Sequence, residues 1–391
     1  LTTLNGYEAV VRALQQARPD GLLTALRGAL TEYFEALAVD LLLADYGMTS
    51  LCHVTEPGEE PRLHSLFNSP DGRVFGSQER LVEGFPGAGR SVARLPVSVR
   101  GDRMGVLVVE LPVVAPDQRV LGDLERIARA LGHELLVAER DTDLYRTVRR
   151  RDRLTLAAEI QWDLLAGRAY ECPEYGLGAQ LEPAYAIHGD NFDWSAGGDR
   201  LVLSVTNGMG EGIEASLLTS LAVNALRNAR RAGVPLADQV ALADQAVYAQ
   251  HQGGLYLDVL LLSFDQTTGE VEVVDAGSPR LYLLRDDAVA HFPFEAQMPL
   301  GMAEDTVYTT QRFTVQPGDR LVFVSDGVFE ASGPGADTFG QRALERSILA
   351  TRLLPAASVP QEILRNLSGY RHGERSEDDA LVVCLDWRGK V

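Results

Sequence analysis

Lysine is almost missing from this sequence: Lys390 is the only one, so arginine supplies nearly all of the 36 basic residues. That bias carries no functional content by itself, but the deficit of positive charge does. Asp and Glu number 55, and the formal net charge is −19. A nucleic-acid backbone or an anionic membrane rewards clustered Lys and Arg, so neither is expected as the main partner. The plain reading of the acidity is solubility. Cysteine is scarce too. Cys52, Cys172 and Cys384 are odd in number, far apart and without a C-x-x-C pair, which argues against a disulfide scaffold and against a zinc site built on them. No apolar run reaches transmembrane length, and no basic-then-apolar leader opens the chain. The expected compartment is a reducing cytoplasm. A first residue Leu1 reads as part of a longer protein with room for domains upstream.

What remains is ample material for a globular protein. With 391 residues, 46% hydrophobic and 23% charged, the chain can bury a core and exceeds one typical domain. Residues 1–116 read as a first unit. Apolar residues recur at helical spacing from Leu22 to Leu37, and Val39–Leu43 and Met48–Val54 read as strands. A loop rich in Gly, Pro and charge spans Glu56 to Gly89. Ser91–Val99 and Met104–Leu111 then flank the turn Arg100-Gly101-Asp102-Arg103, a hairpin signal. This order resembles a GAF-type sensor domain, with a PAS domain or an unrelated α+β module as alternatives. A sensor of this kind implies an unidentified small-molecule or protein signal.

From Gln118 to Leu165 the pattern is helical almost without break. Leu121, Leu124, Ile127, Leu131, Leu135, Leu144 and Val148 form an apolar stripe, and charge fills the other face. Residues 117–168 are therefore expected to be a helical linker, a coiled coil that makes a parallel homodimer. The competing reading is a closing domain helix followed by a separate docking helix.

Residues 169–391 carry the most informative stretch, Thr206-Asn207-Gly208-Met209-Gly210-Glu211-Gly212. It follows a strand-like run, Leu201–Val205, and precedes two helical patterns, Ile213–Ala232 and Leu236–His251. Glycines between strand and helix let the backbone approach a ligand closely. Acidic residues stand beside other strand-like runs: Asp190 upstream, Asp326 after Leu321–Val324, and Asp378-Asp379 before Leu381–Leu385. Further strands are expected at Val259–Phe264, Val271–Val274 and Arg280–Leu284. Carboxylates at strand ends are what a hard-cation site needs.

The ordered set Gly189-Asp190-x-x-Asp193, Asn207-Gly208-Met209-Gly210-x-Gly212, Ser325-Asp326-Gly327-Val328-x-Glu330-Ala331 and Asp378-Asp379-Ala380 resembles the SpoIIE/RsbU branch of the PPM metal-dependent Ser/Thr phosphatases. Asp275-Ala276-Gly277-Ser278-Pro279, Pro299-Leu300-Gly301, Gln316-Pro317-Gly318-Asp319-Arg320 and Phe339-Gly340 match in the same order. The resemblance implies an α+β protein whose last part is an α-β-β-α sandwich. It also implies Mn2+ or Mg2+, with Asp190 serving one ion and Asp326 and Asp378 the other. Gly208 would lend its backbone carbonyl, and position 207 would bridge both ions. Its implied substrate is a phosphorylated STAS-domain protein, an anti-anti-sigma factor, in a bacterial partner-switching pathway.

Asn207 breaks that pattern where the family has aspartate. A bridging carboxylate offsets the repulsion of two close dications, and an amide has one good oxygen and no charge. Loss of one such interaction is worth several kcal/mol, orders of magnitude in metal affinity or rate. Further departures are His188 for Gly, Ser278 for His, and Asp258 and Leu381 where Thr is common. Catalytic activity is thus left open, between a weak phosphatase and a pseudophosphatase that binds a partner without hydrolysis. Other residues have duller readings. Asp326-Gly327 alone is a common turn, and Asp378-Asp379 alone could be a solvated one. His188 reads as packing or capping, Asp193 and Glu330 as support, and Glu211 as solvent-facing.

Overall fold

The computed structural model describes residues 5–55, 62–182, 189–333, 337–372 and 378–390. The chain forms two compact units, Leu1–Arg153 and Leu154–Val391.

The first unit opens with α1 (Gly6–Gln16), an element absent from the sequence expectation, and α2 (Leu22–Phe34). Strands β1 (Ala38–Ala44), β2 (Ser50–His53) and β3 (Leu63–Ser65) follow. Next come α3 (Pro70–Ser77), β4 (Leu81–Phe85), β5 (Arg90–Val99) and β6 (Asp102–Leu111). The stretch expected as a loop up to Gly89 thus holds β3, α3 and β4, and its residues 56–61 lie outside the described residues. The six strands form one sheet in the order β3-β2-β1-β6-β5-β4, with every pair antiparallel. Arg100 and Gly101 both take positive φ, the backbone of a tight primed hairpin turn. Leu26 and Leu30 of α2 pack with Leu41, Leu95 and Leu107 on one sheet face, while Val74 and Phe75 of α3 join Leu42 and Val106.

The expected unbroken helix is three helices: α4 (Gln118–Ala138), α5 (Leu144–Val148) and α6 (Leu156–Leu164). Two local side chains account for the breaks. Thr142 Oγ1 accepts from Leu144 N at 3.3 Å, and Thr155 Oγ1 caps α6 by accepting from Ala158 N at 3.2 Å. The stripe on α4 is not a dimer seam. Leu124, Ile127, Leu131 and Leu135 are fully buried, and Leu121 nearly so, in the first unit's own core. An apolar stripe demands cover; here the sheet supplies it, and the residues expected as a coiled-coil linker divide between the two units at Arg153/Leu154.

After α6, the second unit runs through β7 (Ala169–Glu171), β8 (Tyr175–Glu182), β9 (Asn191–Gly197) and β10 (Arg200–Gly208). Helices α7 (Gly212–Arg231) and α8 (Leu236–His251) precede β11 (Leu257–Asp265), β12 (Glu270–Ala276), β13 (Arg280–Arg285) and β14 (Ala288–Phe292). The rest is β15 (Gln311–Thr314), β16 (Arg320–Val324), α9 (Asp326–Phe329), α10 (Phe339–Ala350), α11 (Val359–Tyr370) and β17 (Ala380–Trp387). Two sheets result, ordered β15-β12-β11-β10-β9 and β14-β13-β16-β17-β8-β7.

Period-2 alternation decides what each strand face meets. Val259 and Leu261 of β11 pack with Leu218 of α7 and Val240 and Val247 of α8. Val382 and Cys384 of β17 pack with Ile363, Leu364 and Leu367 of α11. The alternate residues face the opposite sheet: Phe264 of β11 meets Trp387 of β17 with ring centroids 5.8 Å apart. Both central strands are therefore covered on two faces, which is the α-β-β-α sandwich. Among the described residues no helix is long and apolar enough to cross a membrane.

Candidate functional site

The acidic residues singled out by the sequence gather where strands of the two sheets end. Asp190 immediately precedes β9, whose Asn191 pairs with Thr206 of β10. Asn207 lies near the end of β10, opposite Asp258 of β11. In the other sheet β16 and β17 are neighbours; Asp326 opens α9 one residue after β16, and Asp378-Asp379 lead directly into β17. Residues far apart in sequence thus reach one another because antiparallel neighbours begin and end together.

Asn207 Nδ2 donates to Asp326 Oδ2 at 2.7 Å and to Ser278 Oγ at 3.1 Å. The amide nitrogen must face the carboxylate, since the amide oxygen there would set two acceptors against each other. Asp326 is pushed above the usual carboxylate range by burial and then by the charge of Asp378, while Gly327 N–H and the Asn207 amide pull it back. Asp190 is 2% exposed. Burial first, then Asp379, drives its carboxyl well above the ordinary value; Asp326 and Asp378 add to the push and Ser325 opposes it. Asp190 Oδ2 is buried with no hydrogen-bond partner among the described residues.

Asp379 has a role that sequence reasoning did not assign. Its Oδ2 accepts from Gly189 N at 2.8 Å and Asp190 N at 3.2 Å, and so holds the Asp190 loop against β17. Adjacency to Asp378 was the only signal. Arg371 was missed entirely. It follows α11 and donates to Gly327 O at 2.7 Å; burial pushes its guanidinium below the ordinary value, and the charges of Asp378 and Glu182 oppose that push. Gly208 is required by crowding: a Cβ there would sit 2.5 Å from Thr219 Oγ1 of α7.

Asp193 does not join the site. It accepts from Arg227 at 2.8 Å and Arg230 at 2.9 Å, clamping α7 to β9. Glu211 is exposed just ahead of α7 and makes no capping bond. Leu381 is core, its N–H donating to Ser325 Oγ at 3.0 Å. His188 lies outside the described residues. Ser278, where the family has His, forms a small acidic annex with Asp258 and Asp275. Burial raises Asp258 while the Ser278 hydroxyl and N–H lower it, and burial pushes Asp275 up to about 6. Gly277 has φ +140, and a Cβ there would lie 2.1 Å from Asp258 Oδ1, so no other residue fits.

Crowded, desolvated carboxylates and a buried oxygen without a partner invite a cation. They do not fit a bridged pair of ions. Position 207 offers an uncharged amide, and its N–H engages Asp326 Oδ2. In this arrangement no group of three or more His, Cys, Asp or Glu among the described residues is set to hold a metal ion.

Comparison with known proteins agrees with this architecture. The family described as Stage II sporulation protein E (SpoIIE) matches residues 197–388. Protein IcfG of Synechocystis is 19% identical over 255 residues, covering 58% of this chain and 40% of its own length. Phosphoserine phosphatase RsbU of Bacillus subtilis is 22% identical over 179 residues, covering 45% of this chain and 53% of its own length. The chain therefore spans about half, or less, of the length of these relatives. The solved PP2C phosphatase domain of SpoIIE from Bacillus subtilis, with part of its regulatory domain, superposes with a TM-score of 0.50. It is 19% identical and covers 57% of this chain and 66% of that one. Residues 197–388 thus match the SpoIIE family, and the second unit has the fold of a PP2C phosphatase domain.

Proposed function

We propose that this is a bacterial signalling protein whose second unit recognises a phosphoserine- or phosphothreonine-bearing protein through a PPM centre weakened by Asn207. The partner class is a phosphorylated STAS-domain anti-anti-sigma factor, by likeness to the RsbU type; RsbU itself is named a phosphoserine phosphatase. The first unit is the sensor, GAF-like in carrying helices on an antiparallel sheet. One observation carries the reading: the Asn207 amide donates to Asp326 at 2.7 Å in the place of a bridging carboxylate.

Divalent ions in such a site supply an activated water and neutralise phosphoryl oxygens. Asp190, Asp326 and Asp378 are the side chains that would hold a single hard cation. Asp379 positions Asp190 through the backbone, and Ser278 orients the Asn207 amide. Without a carboxylate at 207 the site has too little negative charge for a second ion, so binding outlasts hydrolysis.

The test is turnover of a phosphorylated STAS-domain protein with manganese, for this chain and for Asn207→Asp. The substitution is expected to add a bound ion and raise the rate at least tenfold, the equivalent of about 1.4 kcal/mol. Two tight manganese ions and equal turnover in the unmodified chain would overturn the reading. A variant that binds two ions yet stays inert shifts the defect to Ser278 and Asp258.

A further inference from the structure

We propose that His53 and His64 form a binding site for a borderline divalent cation of the zinc, copper or nickel class in the first unit. His53 ends β2 and His64 is the middle residue of β3. Leu51 pairs with His64, so His53, two residues on, shares that face and lies on the diagonal. The two Nε2 atoms face each other at 3.3 Å, with the rings inclined at 76°.

The tautomer of His64 is set by its other nitrogen. Nδ1 lies 2.6 Å from Asp71 Oδ2. Asp71 is 4% exposed, and its other oxygen accepts from Arg94 Nε at 2.8 Å. A carboxylate so held accepts the His64 Nδ1 proton and leaves a lone pair on Nε2. That lone pair points at Nε2 of His53. Two arrangements satisfy both rings: a proton on His53 Nε2, or a cation between two lone pairs. Tetrahedral zinc with Zn–N of about 2.0–2.1 Å places its nitrogen ligands about 3.3–3.4 Å apart. The observed separation is that bite.

The Asp71–His64 contact supplies the outer carboxylate that orients metal-binding imidazoles and raises their basicity. Both rings are half-buried, so water can complete the shell around two protein ligands. Imidazole nitrogen selects zinc, copper and nickel, whereas the carboxylates of the second unit suit magnesium and manganese. The two sites therefore differ in chemistry and can be loaded separately.

The chelator-treated 391-residue chain, with excess magnesium present, is titrated with zinc by calorimetry. The same protein loaded with copper is examined by electron paramagnetic resonance. One zinc equivalent is expected, lost or weakened more than tenfold in His53→Gln and in His64→Gln and retained in Asp326→Asn. Asp71→Asn is expected to weaken it about 10- to 100-fold. The copper spectrum should show coupling to two imidazole nitrogens. Unchanged zinc affinity in both histidine variants overturns the proposal. Should those variants fail to fold by circular dichroism, a copper spectrum of the unmodified chain lacking nitrogen coupling overturns it instead.

Discussion

At the residue scale, burial of charge sets the character of the second unit's site and its surroundings. Asp275 has no salt-bridge partner among the described residues and is 8% exposed; burial raises its carboxyl from 3.8 to about 6, with Gly277 N–H as its counterweight at 3.2 Å. The folded chain therefore holds this proton at pH values where the unfolded chain has released it. Below the ordinary carboxylate value Asp275 adds no penalty, and stability falls as pH rises through about 6. Asp275→Asn keeps an acceptor for Gly277 and removes the charge. It is expected to raise the melting temperature near pH 8, by up to about 3 kcal/mol of stability, and to change little near pH 4. Thermal melts at the two pH values check this; an equal effect at both would show that shape, not charge, is responsible.

At the scale of elements, α4 shows how one pattern admits two packings. Its stripe has the spacing of a coiled-coil seam, yet Leu124 and Leu131 are fully buried against the first unit's sheet. Leu131→Ala is expected to cost about 2–5 kcal/mol in that unit and to leave the sedimentation coefficient of the folded protein unchanged. Denaturant melts and sedimentation on the same samples separate the outcomes: a fall in mass without a fall in stability would restore the seam. In the second unit α7 is held by charge as well as packing. The Asp193 clamp to Arg227 and Arg230 ties it to β9, whose start carries Asp190. A residue read from the sequence as support thus secures the helix following the Gly loop.

At the scale of the whole molecule, the second unit contains everything its site uses. Both sheets, their helices and the residues from Asp190 to Asp379 fall within Leu154–Val391. Residues 154–391 expressed alone are expected to melt cooperatively and to bind manganese as the full chain does. Circular dichroism and calorimetry check this. Absence of a cooperative transition would mean that the fold needs residues before Leu154.

Much of this was legible in the sequence because it depends on near neighbours. Strand alternation, the glycine loop after β10 and the β5–β6 hairpin are local patterns, and the order of acidic residues carries the resemblance to the SpoIIE/RsbU family. Asn207 stood out because one amide replaces one carboxylate at a known place in that order. Contacts across long separations were not legible. Nothing in the stripe of α4 says whether a sheet or a second helix covers it, since both bury the same side chains. Short β3 and β4, and α3 between them, lack a run long enough to show a period. Asp378 and Asp379 look equivalent in sequence; only the meeting of β17 with the Asp190 loop gives Asp379 its backbone partners. Asn207, Ser278 and Asp326 are up to 119 residues apart. Their hydrogen bonds exist because two stacked sheets end together, whereas the imidazoles of His53 and His64 face each other through the pairing of β2 with β3. Sequence determined which chemistry the chain carries; the tertiary structure decided which groups touch, because a contact depends on where strands end and not on the residues along them.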